Sequence, residues 1–363
     1  MGQPLGSPLP AAAASQAGSF ALSSLRYNPR LATTRQLGLF STLGLWAILT
    51  LVGVLYAVWL GFGGHAFAAT LTTFAFLFLI MLLFAARGAD TALAARFGAS
   101  AGILLGAALF LLYLIYAIGT NGFSFGRAAT AAVLVFAPLA LAASAERKPP
   151  GCWQDFAMIV GIWLAVKPLP SVWGFTMSHW LFPFPEQLSY VMTVLLCLNV
   201  ALAVFVLVRR LNGIGYSIGW SQNWTFFILV SFFAFALIAI PLGTGMHFIQ
   251  FEPRWSEWKS LPLTGLSILL FTAWPEEFLF RGLLQNTLSR ASKSEVAGWW
   301  TASVLFGFSH ITNLGFPNWR YVVLATIAGI FYGWTWRRTG SIFASAIVHA
   351  AVDTTWHFLF HTL

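Results

Sequence analysis

Charge is scarce in this chain. Only 8% of its 363 residues are Asp, Glu, Lys or Arg, against about 25% in a soluble globular domain. With 59% apolar residues and a mean hydropathy of +0.80, no polar stretch is long enough to cover a water-soluble core. That excludes a large soluble domain and leaves the multi-pass membrane class. Cysteine is scarcer still. Cys152 and Cys197 stand alone, too few and too far apart for a disulfide framework or a zinc knuckle. An HExxH sequence is also missing, so a metal site would have to be gathered from several helices. The net charge of +9 is spread between hydrophobic segments rather than clustered, which excludes a nucleic-acid footprint.

What the chain does have is long apolar runs. Spanning segments are expected at roughly 37–61, 66–86, 98–118, 128–145, 152–166, 188–208, 223–243, 261–289, 296–312, 321–336 and 341–360, each near the length that crosses a bilayer. The fold class is therefore all-α, a polytopic transmembrane bundle of about 11 spans. Ten is the alternative count, because the fifth, ninth and tenth segments are short and the fifth holds Asp155. Asp155 is expected near the cytoplasmic end of its span, reaching the headgroups. With a cytoplasmic N-terminus, 13 of the 19 Lys and Arg residues face the cytoplasm and 5 face outward, with Arg281 inside a span. This is the asymmetry that positive-inside topology demands.

Three regions are expected: a disordered cytoplasmic tail at 1–36, a transmembrane scaffold at 37–222, and a catalytic transmembrane domain at 223–363. The tail is rich in Ala, Ser, Pro and Gly and lacks the apolar core of a signal peptide. Two outer connections, 168–186 and 243–260, carry Trp173, Trp180, Trp255 and Trp258, as interfacial anchors do.

The costly feature is Trp274-Pro275-Glu276-Glu277-Phe278-Leu279-Phe280-Arg281. An ionisable group at a span centre costs about 2.5–3.5 kcal/mol on insertion scales, so this cluster must face protein or water. Glu277 and Arg281 are four apart and share a helical face, whereas Glu276 is turned about 100° away. Glu277 and Arg281 thus read as a structural pair, and Glu276 as the carboxylate left to face a cavity. Pro275 removes a backbone hydrogen bond and is expected to kink the helix beside Glu276. Later spans carry His310, and the same-face pair His349 and Asp353. Counted at 1.5 Å per residue, all four site residues fall roughly 12 to 21 Å from the cytoplasmic ends of their spans.

A carboxylate with two histidines in a protected pocket suits peptide-bond hydrolysis. Glu276 would act as general base on water held by His310, with His349 and Asp353 at the developing oxyanion. Alternatively Glu276, His310 and His349 would ligate a zinc ion that activates the water. The residues alone leave both routes open.

The order Glu276-Glu277-x-x-x-Arg281, Phe306-x-x-x-His310 and His349-x-x-x-Asp353 resembles the three motifs of the CAAX protease and bacteriocin-processing (CPBP, or Abi) family. That family of intramembrane endopeptidases includes the type II CAAX prenyl endopeptidases. The resemblance covers about residues 225–360. It implies that Glu276 and His310 handle the nucleophilic water and that His349 and the last motif residue stabilise the oxyanion. The last position is often Asn in the family. Asp353 stands there in this chain, so it must be protonated, paired with His349, or a metal ligand. The resemblance implies either a metalloprotease or a metal-free glutamate enzyme, so the cofactor is zinc or none. The partners implied are membrane lipid and a membrane-associated, lipidated or unmodified, protein or peptide substrate. The expected setting is a bacterial plasma membrane. Competing expectations are a proton- or ion-coupled transporter, with its ionisable residues at the midplane, and a non-catalytic immunity or scaffold protein.

Overall fold

The computed structural model describes residues 35–167 and 177–363. The expected tail therefore lies outside the described residues except at its end. There Arg35 and Gln36 are ordered, forming β1 (Arg35–Gln36), which pairs antiparallel with β2 (Gly219–Trp220).

Every one of the eleven expected apolar segments coincides with a helix. The first half contains α1 (Leu39–Trp59), α2 (Gly64–Ala85), a short α3 (Ala89–Phe97), α4 (Ala101–Gly119), α5 (Phe125–Ser144) and α6 (Trp153–Val166). After a five-residue α7 (Met177–Leu181) comes α8 (Glu186–Leu202), continued by a π-helical turn to Val208. The second half contains α9 (Gln222–Gly245), then one rod made of α10 (Leu261–Ile268), α11 (Trp274–Glu277) and α12 (Asn286–Ala291), and finally α13 (Glu295–Phe308), α14 (Trp319–Thr339) and α15 (Ile342–Leu359).

Among the described residues, seven helices are long and apolar enough to cross a membrane. The helices for the fifth, ninth, tenth and eleventh expected segments are shorter or more polar than that standard. Helices suit this setting because hydrocarbon offers no partner for free backbone groups. Where ends approach polar surroundings, side chains close them. Ser124, Ser294, Asn318 and Ser341 each accept from a backbone N–H in the first turn of the helix they precede.

The bundle is organised about α8, whose most apolar window is 83% buried, whereas that of α1 is 6% buried and coats the outside. Asn199 on α8 donates to Leu77 O on α2 at 2.8 Å, which satisfies an amide that would otherwise be orphaned in the core. Against expectation, Asp155 does not reach the headgroups. It is buried and chelates Arg209, with Nε 2.7 Å from Oδ1 and Nη2 2.9 Å from Oδ2. Arg209 also donates to Ala145 O and Lys148 O, while Gly151 N–H donates to Asp155 Oδ2. A charge taken out of water requires such a full set of partners, and the ends of α5, α6 and α8 are tied together by it.

The second half wraps α9, α13, α14 and α15 around the α10–α12 rod. Close approach of α13 and α14 is set by Gly307, where a Cβ would fall 2.7 Å from Val322 O. A two-stranded ribbon of β3 (Ile249–Phe251) and β4 (Phe360–Thr362) ties the α9 exit to the end of α15.

Candidate active site

The rod is not a plain α-helix. π-helical turns occupy Leu269–Ala273 and Phe278–Gln285, on either side of the four residues that hold the acid pair. The expected disturbance at Pro275 takes this form. Pro275 cannot donate a hydrogen bond, and its ring crowds the carbonyl four residues back. A widened turn immediately upstream accommodates both effects. Such single-turn widenings recur at functional positions because they re-aim side chains.

Glu277 and Arg281 form the expected pair, with Glu277 Oε2 3.2 Å from Arg281 Nε and both side chains essentially fully buried. Two further partners of Glu277 leave no mark in the sequence. His349 Nδ1 lies 2.9 Å from Glu277 Oε1, and the Ser345 hydroxyl donates to Oε2 at 2.6 Å. Glu277 thus joins the rod to α15. Arg281 donates to Gly329 O on α14 at 3.3 Å and lies 4.4 Å from the Phe306 ring centroid on α13. This cation–π contact occurs where desolvation strengthens it.

Phe306 also meets His310 and His349 edge-on, with centroids 4.9 and 5.7 Å away. Tyr332 stacks on His349 at 4.6 Å and 18°. These rings fix both imidazoles without taking their nitrogens.

His310 lies in the turn just past the end of α13, not within the span assigned to it. Its Nδ1 is 2.8 Å from Phe306 O, one of the carbonyls left free at a helix end. A carbonyl only accepts, so Nδ1 carries the proton and Nε2 of the neutral ring is an acceptor. His349 is held from both sides, since Nε2 lies 3.4 Å from Asp353 Oδ2. The same-face pairing of His349 and Asp353 is therefore present.

Glu276 turns the other way. It lines a cavity of about 370 Å3 together with His310, His349 and Asp353, and its Oε2 is buried with no hydrogen-bond partner. All four expected site residues therefore share one cavity wall. Its wall also includes residues that sequence reasoning did not single out, among them Lys167 at the end of α6, Tyr190 on α8, and Asn313 and Tyr321 beside His310. Lys167, Tyr190, Thr272 and Glu276 also border a smaller, mostly apolar cavity of about 50 Å3 against α6 and α8.

Glu276, His310 and His349 are the residues that would hold a zinc ion, and all three line the cavity. Among the described residues no three His, Cys, Asp or Glu side chains converge as a metal requires. His349 Nδ1 is taken by Glu277 at 2.9 Å and Nε2 lies 3.4 Å from Asp353 Oδ2, so Nε2 is the nitrogen that a metal would have to use.

The fold is that of a helical membrane protein with a buried acid–imidazole cluster beside a glutamate that has an unpartnered oxygen. Residues 257–355, which contain all three motifs, match the family model described as Type II CAAX prenyl endopeptidase Rce1-like. In this segment the chain is thus similar to a family of membrane proteases. No curated protein and no solved structure matches the chain.

Proposed function

We propose that the protein is an intramembrane endopeptidase that hydrolyses a peptide bond of a membrane-associated protein or peptide, with Glu276 as the base and without a metal. One observation carries this reading: a buried, unpartnered carboxylate oxygen on Glu276 faces the same cavity as His310, His349 and Asp353. A carboxylate oxygen buried without a partner is expensive and is kept where a water or substrate completes it.

In this reading a water molecule sits between Glu276 and His310. His310 Nε2 accepts one of its hydrogens and orients it, and Glu276 takes the other as the oxygen attacks the carbonyl carbon. His349 keeps Nδ1 on Glu277 and turns its Nε2–H, which rests 3.4 Å from Asp353, to the carbonyl oxygen as charge develops there. Asp353, the residue that would repel an oxyanion, is set against His349 and acts through it by keeping the ring protonated and aligned. Glu276 returns the proton to the departing amine, which completes the hydrolysis. Glu277, Arg281, Ser345 and Phe306 hold the two imidazoles in place.

The membrane arrangement we propose is eleven crossings with the N-terminus cytoplasmic, in a bacterial plasma membrane. It is supported by the coincidence of each expected segment with a helix and by the bias of Lys and Arg. The second half acts as the catalytic unit and the first half as its scaffold.

The test is hydrolysis of a lipid-anchored fluorogenic peptide panel by purified protein in liposomes. Cleavage that vanishes in both Glu276→Gln and His349→Ala, with the fold retained, supports the reading. Persistent cleavage in both variants overturns it.

A further inference from the structure

Lys167 caps the C-terminal end of α6, far outside the 257–355 segment that carries the motifs. Its side chain nevertheless forms part of the cavity wall shared with Glu276, His310, His349 and Asp353. Its Nζ lies 3.3 Å from Asn313 Oδ1, on the turn that positions His310. Asn313 is neutral and satisfies one of three ammonium donors. Among the described residues, no carboxylate lies within ion-pair range of Lys167. The cavity wall therefore holds two acids, Glu276 and Asp353, and a cation that forms no ion pair with either. Attraction between that cation and an anion grows as a bound chain displaces water. A peptide brings one common anion, the carboxylate.

We propose that Lys167 reads a carboxylate of the peptide held in this cavity. The site would thereby select where along a chain the scissile bond lies. The inference rests on the peptidase reading above. The carboxylate has two sources, a free C-terminus or an Asp or Glu side chain, and Lys167 would hold either through the Nζ donors that Asn313 leaves free.

The experiment uses three lipid-anchored peptides of one otherwise uncharged sequence: the free acid, its C-terminal amide, and the amide with one internal Glu. KM is measured for the wild type in liposomes. Kd is measured for the same peptides on the Glu276→Gln protein, with Lys167 intact or as Lys167→Met. Wild-type protein is expected to prefer one carboxylate-bearing peptide over the plain amide by about 10- to 100-fold, the range of a hydrogen bond to a charged group. Lys167→Met should reduce that peptide to the level of the amide, and Lys167→Arg should keep the preference. Which peptide wins identifies the source. A preference that survives Lys167→Met overturns the proposal, as does an equal response to all three peptides or binding of none. Lys167-dependent binding without any hydrolysis would instead remove the peptidase reading and leave the carboxylate subsite standing. Hydrolysis without preference would do the reverse.

Discussion

Glu277 Oε1 and His349 Nδ1 are 2.9 Å apart, across 72 residues of sequence and between two helices that pack side by side. With Arg281 on the other carboxylate oxygen, this contact makes Glu277 the point at which the rod, α14 and α15 are locked together. Removing one charge of such a buried set leaves the other stranded, at a cost of about 3–5 kcal/mol. Glu277→Gln and Arg281→Met should each lose stability of that order in chemical unfolding of the micelle-bound protein. The double variant should lose much less than the sum, because one stranded charge is removed with the other. Additive losses would show that the pair is not the locking element.

Glu276 has no such bonds to lose. Glu276→Gln should lower kcat by about 10²- to 10⁴-fold, the usual contribution of a positioned general base. Its unfolding midpoint should equal or exceed that of the wild type, since a carboxylate with a buried, unpartnered oxygen has been made neutral. Peptide hydrolysis and thermal unfolding on the same preparation check both halves of the expectation.

His310 and Ser309 are neighbours with different expected effects. Both side chains reach Phe306 O, but only the His310 ring faces the cavity. His310→Ala should reduce kcat at least about 100-fold. Ser309→Ala should alter it by less than a factor of about 10, through a slightly freer ring, because a neutral hydrogen bond contributes about 1 kcal/mol. Steady-state kinetics on the two variants separates the cases.

Since Glu277 takes His349 Nδ1 and no three ligating side chains converge among the described residues, hydrolysis should survive prolonged dialysis against a strong chelator. Elemental analysis should find purified, active protein with far less than one zinc per chain. Activity lost on chelation and restored by zinc would contradict the metal-free reading.

Asp155 and Arg209 form the second buried ion pair, in the N-terminal half. Asp155→Ala leaves Arg209 with backbone carbonyls and Cys152 Sγ but no counter-charge and should cost about 3–5 kcal/mol. Well below the lowered unfolding temperature, kcat should stay near the wild-type value, since neither residue lines the cavity. A large fall in kcat at low temperature would tie this pair to the site.

The helices were legible because apolar runs of span length have few alternatives, and all eleven reappear. Glu277–Arg281 and His349–Asp353 were legible because residues four apart on a helix share a face. What the sequence did not disclose is tertiary. Glu277 meets His349 and Ser345 only because α15 packs on the rod. The Asp155–Arg209 pair joins residues 54 apart at the ends of different helices. A signal for that pair existed, an acid in the first turn of a short apolar helix and an Arg closing another, but helical spacing cannot connect them. Lys167 gave no local sign at all, since a Lys at the end of a span normally faces headgroups. Pro275 marked the position of the backbone disturbance without revealing its form.

That form has a consequence for length. Each residue added to a helix rotates every later side chain by about 100°, so widened turns on both sides of Glu276 and Glu277 set their bearing by count rather than by side-chain chemistry. Deleting one residue from 269–273 would return the backbone to ordinary pitch and swing the acid pair away from α15. Leu269 and Phe271, half-buried there, should accept a change of side chain more readily than the segment accepts a change of number.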